Sequence, residues 1–351
     1  MKLGIVGLQQ SGKTTVFNAL TGTDTQVGTF GKIESHIAVV KVPDARVDWL
    51  KQLYVPEKTV YADIEFVDIP GNINDSSDAG IIAVAREVEA LAFVIRAFDN
   101  PEVAHPLGEN SPLRDFEEIK TGLILADMAI AEKRIERLKK SSVKASAAPE
   151  EKLELIVLEK IMKTFESERG ASEAGLTAPE EKAIRSFQFL TLKPYLALLN
   201  VSDNALKTEQ TVSTLAKLPN CMTICANIEM EIGQLDEKDR KGFLDDLGIE
   251  TLSLVPFIRN AYKTLGLISF FTVGKDEVHA WTIKKGTPAV AAAGKIHSDL
   301  ERGFIRAEAF SYNDLKTSGS EQAVKKAGLF RLEGKDYTVQ DGDILSIKFS
   351  V

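Results

Sequence analysis

The chain has only two cysteines in 351 residues, Cys221 and Cys225. That is too few for a disulfide framework, and no further Cys or His cluster has the spacing of a zinc site. A reducing cytoplasm is therefore the expected compartment. Long apolar runs are also missing. None approaches the length that spans a bilayer, and the N-terminus enters a strand-like segment with no charged-then-apolar leader. A soluble, unprocessed chain with no membrane partner is expected. Positive charge is the third shortage, since 43 Lys and Arg stand against 51 Asp and Glu for a net charge of −8. That balance argues against a surface that coats nucleic acid indiscriminately, so no DNA partner is expected and any RNA contact must be local.

At 351 residues the chain exceeds the size at which one core usually stops growing, so more than one domain is expected. Its first motif comes at once. Gly7-Leu8-Gln9-Gln10-Ser11-Gly12-Lys13-Thr14 fits GxxxxGK[ST], with a buried-strand run, Leu3 to Val6, before it and a helix start, Thr15 to Leu20, after it. In that setting the turn and helix-start amides converge on phosphate oxygens, Lys13 reaches the β- and γ-phosphates and the Thr14 hydroxyl reaches Mg²⁺. A chance glycine turn would lack the flanking strand and helix. Gln10, Ser11, Gly12, Lys13, Thr14 and Thr15 are thus candidate nucleotide-binding residues, and a nucleoside triphosphate is the expected ligand.

Three later elements complete the order of a nucleotide site. Asp68-Ile69-Pro70-Gly71 follows an apolar strand, where the Asp would hold Mg²⁺ through water and the Gly71 amide would sense the γ-phosphate. Asn200-Val201-Ser202-Asp203 has the NxxD spacing of a base-reading element, with Val201 where a lysine is usual. Cys225-Ala226-Asn227 stands where a short loop closes over the base. The two cysteines flank a strand-like run and are expected to be buried rather than reactive.

Strand and helix signals alternate through the first hundred residues. Ile37 to Val42 and Ala62 to Val67 read as strands with a connection short enough for an antiparallel pair. A helix, Ile81 to Val88, and an interior strand, Leu91 to Phe98, follow, and Tyr195 to Leu199 and Met222 to Cys225 supply two later strands. Between these halves Ile119, Leu123, Ala126 and Ile130 form the seam of a long amphipathic helix from Asp115 to Lys140. Leu155, Leu158, Met162 and Phe165 repeat the spacing in a second helix beyond Pro149. The two read as an antiparallel hairpin inserted into the nucleotide domain, the alternative being helices that simply cover the sheet.

From about Leu267 the chain reads as a compact α+β module. Val278 to Ile283 and Ile344 to Phe349 alternate like strands, Ala289 to His297 reads as a helix, and Asp341-Gly342-Asp343 marks a turn. This module is close to neutral. Lys284, Lys285, Lys295, Arg302 and Arg306 could form a binding face, although scattered surface cations are the ordinary arrangement.

The chain as a whole resembles the YchF family, the Obg-like ATPases, in the translation-factor branch of P-loop GTPases. The resemblance rests on Gly4-Ile5-Val6-Gly7 running into Ser11-Gly12-Lys13-Thr14-Thr15, on Val42-Pro43-Asp44-Ala45-Arg46, on Asp68 to Gly71 and on Ile228-Glu229. Its most specific stretches are Ala280-Trp281-Thr282-Ile283, Ala293-Gly294-Lys295-Ile296-His297, Gly303 to Glu308 and Glu333 to Tyr337. It implies a fold of an α/β P-loop NTPase domain (1–110 and 186–266), an inserted antiparallel helical coiled-coil hairpin (111–185) and a C-terminal α+β ubiquitin-like TGS domain (267–351).

What the resemblance implies about function is a slow, Mg²⁺-dependent purine NTPase used as a conformational switch. Ribosome or ribosomal RNA contact would run through the helical and TGS domains. The family favours ATP over GTP and usually carries NxxE, whereas this sequence has Asp203, the shorter acid of guanine readers. The resemblance favours ATP, and GTP stays open, because a carboxylate at Asp203 would accept from guanine N1–H and its 2-amino group and gain nothing from adenine, while Val201 stands where a lysine stacks on the base. The switch threonine expected just before Ile33-Glu34 is replaced by Lys32, with Thr29 a possible substitute. Asn72 follows Gly71 where the family has a hydrophobic residue. His105 matches a histidine the family carries after this strand and is a candidate for positioning the attacking water, a loop histidine being the plainer reading. A nucleotide-gated binding module with GTP specificity or negligible hydrolysis is the alternative function. A P-loop kinase is disfavoured, since no acceptor base or lid pattern is present.

Overall fold

The computed structural model describes residues 1–22, 35–71, 73, 79–142, 148–205, 208–246 and 251–350. In chain order the first elements are β1 (Lys2–Val6), α1 (Lys13–Thr21), β2 (His36–Lys41), α2 (Ala45–Tyr54), β3 (Lys58–Val60), β4 (Asp63–Asp68), α3 (Ala79–Glu87) and β5 (Ala90–Ala97). Then follow α4 (Pro112–Ser142), α5 (Pro149–Phe165), α6 (Ala178–Ile184), β6 (Tyr195–Val201), α7 (Glu209–Leu215), β7 (Cys221–Ile224), α8 (Ala226–Gln234), α9 (Glu237–Asp246) and α10 (Leu254–Thr264). The chain ends in β8 (Leu267–Val273), β9 (Glu277–Lys284), α11 (Ala289–Ile296), α12 (Ser298–Arg302), β10 (Phe304–Ser311), α13 (Tyr312–Ser318), α14 (Glu321–Lys326), β11 (Arg331–Glu333) and β12 (Asp343–Phe349).

One sheet has the strand order β2-β4-β1-β5-β6-β7, and its β4-β1-β5-β6-β7 pairs are all parallel. A parallel sheet is covered on both faces, which is why β5 and β6 are nearly continuous apolar runs, ALAFVIRA and YLALLNV. The register sets Ile5 beside Asp68 and Arg96 beside Asn200, so residues far apart in sequence meet at the carboxyl ends of the strands. Ligands of open α/β sheets bind at that edge.

The connection from β2 to β4 is not the simple link expected, because it contains α2 and β3. The signal for α2 was present: Asp44 accepts the Arg46 amide at 2.9 Å as an N-cap, while only Val47 and Leu50 of the helix are buried. So narrow an apolar stripe escapes a periodicity search.

The long helix divides its work. Phe116, Ile119 and Leu123 near the start of α4 bury into the sheet core, with Phe116 packed on Phe93 and Tyr195. Further along, Ala131 and Leu138 join Val157, Leu158, Ile161 and Phe165 of α5 in a separate core. One part of α4 thus covers the sheet and another packs against α5. Arg134–Glu154 and Lys139–Glu159 pairs at 2.7 and 2.8 Å add exposed cross-links, which contribute little beside the apolar seam.

The chain folds into two units, Met1–Ala38 with Glu65–Phe257, and Val39–Ile64 with Ile258–Val351. The helical segment stays with the first. Within the second, the strand order is β11-β10-β12-β8-β9-β3, so a strand from residues 58–60 completes the C-terminal sheet. Arg46 ties the same segment in: it donates to Asp44 and Asp341 and lies over the Phe271 ring at 5.1 Å. Ala289, Ala292 and Ala293 of α11 pack on Phe270, Ile283 and Leu345, small side chains letting the helix approach closely. Gly342, at φ +91°, makes the expected turn before β12.

Candidate functional site

β1 delivers the chain to Gly7, and α1 starts at Lys13. A Cβ on Gly7 would collide with the Val94 carbonyl and the Ser11 hydroxyl, and one on Gly12, at φ +92°, would collide with Asn200 Nδ2. Only glycine permits this curl. α1 has no side-chain cap, so its first amides remain available to an anion. Lys13 Nζ donates to Leu8 O at 2.8 Å and to Gly7 O at 3.1 Å. Lys13 is 8% exposed, and burial pushes its ammonium down to about 8 against the pull of Asp68. A cation held dry and next to the phosphate turn is placed for anionic oxygens.

Asp68 closes β4 and is buried. Its Oδ2 accepts the Thr14 hydroxyl at 3.0 Å, while buried Oδ1 has no partner among the described residues. Burial pushes this carboxyl up, and the Thr14 hydrogen bond, Lys13 and His36 pull it down. The buried Ser11 hydroxyl is likewise without a partner among the described residues. One carboxylate and one hydroxyl are a hard-oxygen pair that suits Mg²⁺, an ion that takes its remaining ligands from water and phosphate. The residues therefore fit a magnesium–nucleotide complex. Among the described residues, no group of three or more His, Cys, Asp or Glu could hold a metal. Gly71, at φ +86°, lies so close to Ile81 of α3 that a Cβ would strike that side chain.

On the base side, Asn200 stitches two loops together. Its Nδ2 donates to Ser11 O and its Oδ1 accepts from the Ala226 amide, each at 3.1 Å. Val201, expected among the base-side residues, has its side chain buried in the sheet core, because alternation along β6 turns it away from the face that Asn200 occupies. Asp203 and Asn227 are exposed, whereas Cys225 and Ala226 are buried. Asp203 is close enough for its charge to add to the burial that raises the Cys225 thiol. Burial also pushes the Cys221 thiol up to about 11, which accords with inert cysteines.

Phe98 was missed as a site residue. It ends the β5 edge and lies 4.0 Å from where a Cβ of Gly12 would be, with the Arg96 guanidinium 4.7 Å over its ring. An aromatic at the carboxyl end of a strand beside the phosphate loop was the signal. His105 is buried against Asp115, its Nε2 2.8 Å from Oδ2, and its Nδ1 accepts the Leu107 amide at 3.1 Å. Both ring nitrogens are engaged. Thr29, Lys32 and Asn72 lie outside the described residues.

Glu229, two residues after the closing loop, accepts the Ser253 amide, and burial pushes its carboxyl up to about 7 against the hydrogen bonds from Ser253 and Leu254. A carboxyl raised from 4.5 makes the folded state bind the extra proton, so this stability is full below pH 4.5 and is lost as pH rises through 7. Glu229→Gln keeps an acceptor for Ser253 and removes the charge. Urea unfolding at pH 5 and pH 8 should show the parent losing up to ~3 kcal/mol more than the variant. Equal losses would contradict this account.

A parallel α/β sheet with a glycine-curled loop, a buried lysine and an Asp–Thr pair at its carboxyl edge defines a P-loop nucleotide-binding protein. Residues 2–124 match the family model described as 50S ribosome-binding GTPase, and residues 267–350 match YchF-GTPase_C, described as a protein of unknown function (DUF933). The chain is 39% identical over 363 residues to the ribosome-binding ATPase YchF of Bacillus subtilis, covering 99% of each. It is 40% identical over 362 residues to the Haemophilus influenzae protein of the same name, covering 100% of this chain and 99% of the relative. The solved Schizosaccharomyces pombe YchF GTPase aligns with a TM-score of 0.87 at 30% identity, covering 99% of this chain and 97% of that one. The chain belongs to the YchF family.

Proposed function

We propose that the chain is a slow, Mg²⁺-dependent purine NTPase that favours ATP and changes conformation with its nucleotide. The observation that carries this is the buried Lys13 beside the Thr14–Asp68 pair at the glycine-curled loop. Lys13, the loop amides and Gly71 would bind and orient the triphosphate, with Thr14 and Asp68 on the side of the metal. Mg²⁺, when bound, supplies charge neutralisation on the phosphate oxygens. Asn200 holds the phosphate turn to the closing loop, while Asp203, Cys225, Ala226 and Asn227 border the base. We assign His105 to shaping the loop before α4 rather than to orienting water, because both its ring nitrogens are engaged. With no glutamine after Gly71, turnover should be slow unless a partner orders the site.

The relatives are named ribosome-binding ATPases, and this supports ribosome association in the cytoplasm here too. We assign that contact to the helical segment, 111–185, as an antiparallel coiled-coil arm, and to 267–351 as a TGS-type ubiquitin-like domain, with 1–110 and 186–266 binding nucleotide. No helix among the described residues is long and apolar enough to cross a membrane. Asp203 could accept from guanine but not from adenine, whereas Val201 is too buried to stack on a base, so the ATP preference rests on the relatives' naming as ATPases and not on the base contacts. Competition of ATP and GTP against a fluorescent nucleotide, with Mg²⁺, should show ATP binding tighter by about tenfold, roughly 1.4 kcal/mol. A GTP preference would move the assignment to a GTPase, and absence of turnover in the same sample would favour a nucleotide-gated binding module.

A further inference from the structure

A heavily bonded carboxylate outside the nucleotide site is Asp127, in the middle of α4 and fully buried. Its Oδ1 takes the Leu190 amide at 3.0 Å and Arg86 Nη1 at 2.9 Å. Its Oδ2 takes the Thr191 amide and hydroxyl, both at 2.8 Å. Arg86, near the end of α3, also donates to the carbonyls of Ala126 and Gln188, each at 3.1 Å. Lys193 Nζ caps the same helix end through the Arg86 and Val88 carbonyls. The end of α3 is thus pinned to α4 and to the turn before β6. The other end of α3 presents Ile81, on which Gly71 rests with no room for a Cβ. Ile81, Ala85 and Val88 are buried in the sheet core, so α3 is a packed rod between Gly71 and Asp127.

We propose that Arg86 and Asp127 are positioning residues for the Gly71 amide: by fixing α3 they set how well the site distinguishes a nucleoside triphosphate from a diphosphate. This rests on the nucleotide-binding function proposed above. In the site proposed above the Gly71 amide faces the γ-phosphate, which a diphosphate lacks, so loosening the rod weakens triphosphate binding and spares diphosphate binding. By linkage, the γ-phosphate protects the pinned end from opening. A purely structural ion pair would instead lower both affinities together. Arg86 is suited to this because its planar fork reaches a carboxylate and two carbonyls at once, which a lysine cannot do.

The test is calorimetric titration of the full chain, with Mg²⁺, using the β,γ-imido analogue of ATP and ADP, or the guanine pair if the parent prefers it. The parent should bind the triphosphate analogue more tightly. Asp127→Asn and Arg86→Lys should hold diphosphate affinity within about twofold and lose roughly tenfold of the triphosphate advantage, the worth of one charge-assisted hydrogen bond. Parallel loss of both affinities, or no change in either, would overturn the proposal. Hydrogen exchange on the parent alone provides a check independent of how the variants fold. Residues 123–131 and 187–191 should exchange at least about threefold more slowly with the triphosphate analogue than with the diphosphate, and equal exchange sinks the idea. A parent that binds neither nucleotide would remove the functional reading itself, and the positioning role with it.

Discussion

Replacing Lys13 by Met is expected to abolish the stabilisation that nucleotide confers while leaving the nucleotide-free protein as stable as the parent or more so. Lys13 is 8% exposed, and burial lowers its ammonium from 10.5 to about 8. At neutral pH that displacement corresponds to a cost of ~3 kcal/mol. Losing the donor to Leu8 O and Gly7 O returns ~1–2 kcal/mol of that. The net gain is therefore ~1 kcal/mol, from a methionine whose stem fills the same channel. Because the folded pKa lies below the unfolded one, the unfolded chain holds the extra proton between pH 8 and 10.5. The parent therefore gains stability as pH rises through that window, and the variant lacks this gain. Nucleotide affinity should fall by ~10²–10³-fold, the usual cost of removing a preorganised donor from anionic oxygens. A thermal-shift series with Mg²⁺–ATP reads both effects, since ligand raises the parent's midpoint by mass action and should leave the variant's unmoved. A nucleotide-dependent shift surviving in the variant would show that Lys13 does not hold the phosphates.

Asn200→Ala should be the most destabilising single change at the site. It strips the partner from two backbone groups, Ser11 O and the Ala226 amide, in a place where the Asn200 side chain is buried. Each orphaned group costs ~1–3 kcal/mol, so a loss of ~3 kcal/mol in urea unfolding is expected. Asn200→Asp should be nearly as damaging: a carboxylate still accepts from Ala226 but turns an oxygen toward the Ser11 carbonyl where the amide donated. Nucleotide affinity should fall in both, because the phosphate turn and the closing loop are no longer held together. A loss below ~1 kcal/mol for the alanine variant would mean that water or a shifted loop satisfies both groups.

The phosphate loop was legible from sequence because its chemistry is local. Eight consecutive residues between a strand and a helix carry the turn, the cation and the hydroxyl, and no distant contact is needed to recognise them. Asp68 and Gly71 were legible for a similar reason, since a polar pair ending an apolar strand announces itself. The two long helices could be read from their apolar spacing. What that spacing packs against could not, because Phe116, Ile119 and Leu123 face the sheet while Leu138 faces α5, and all are equally apolar.

Asp127 shows where pattern reading fails. On a helix whose other faces are charged it reads as one more solvated acid, yet it is fully buried, and its partners lie 41 and 63 or more residues away. α2 and β3 were lost for the opposite reason: their apolar stripes are too thin to register, and the second sheet supplies the partner that makes β3 a strand.

By itself the sequence determined the class of ligand, the phosphate loop and the kind of secondary structure in most segments. Each of these depends on neighbours within a turn or a strand. Tertiary structure alone decided that Asn200 would bind backbone on two loops, that Val201 would turn inward, that His105 would have both nitrogens occupied and that Val39–Ile64 would fold with the C-terminal unit. The physical reason is register: parallel pairing sets Arg96 beside Asn200 and Ile5 beside Asp68, and strand alternation then assigns each side chain to a face.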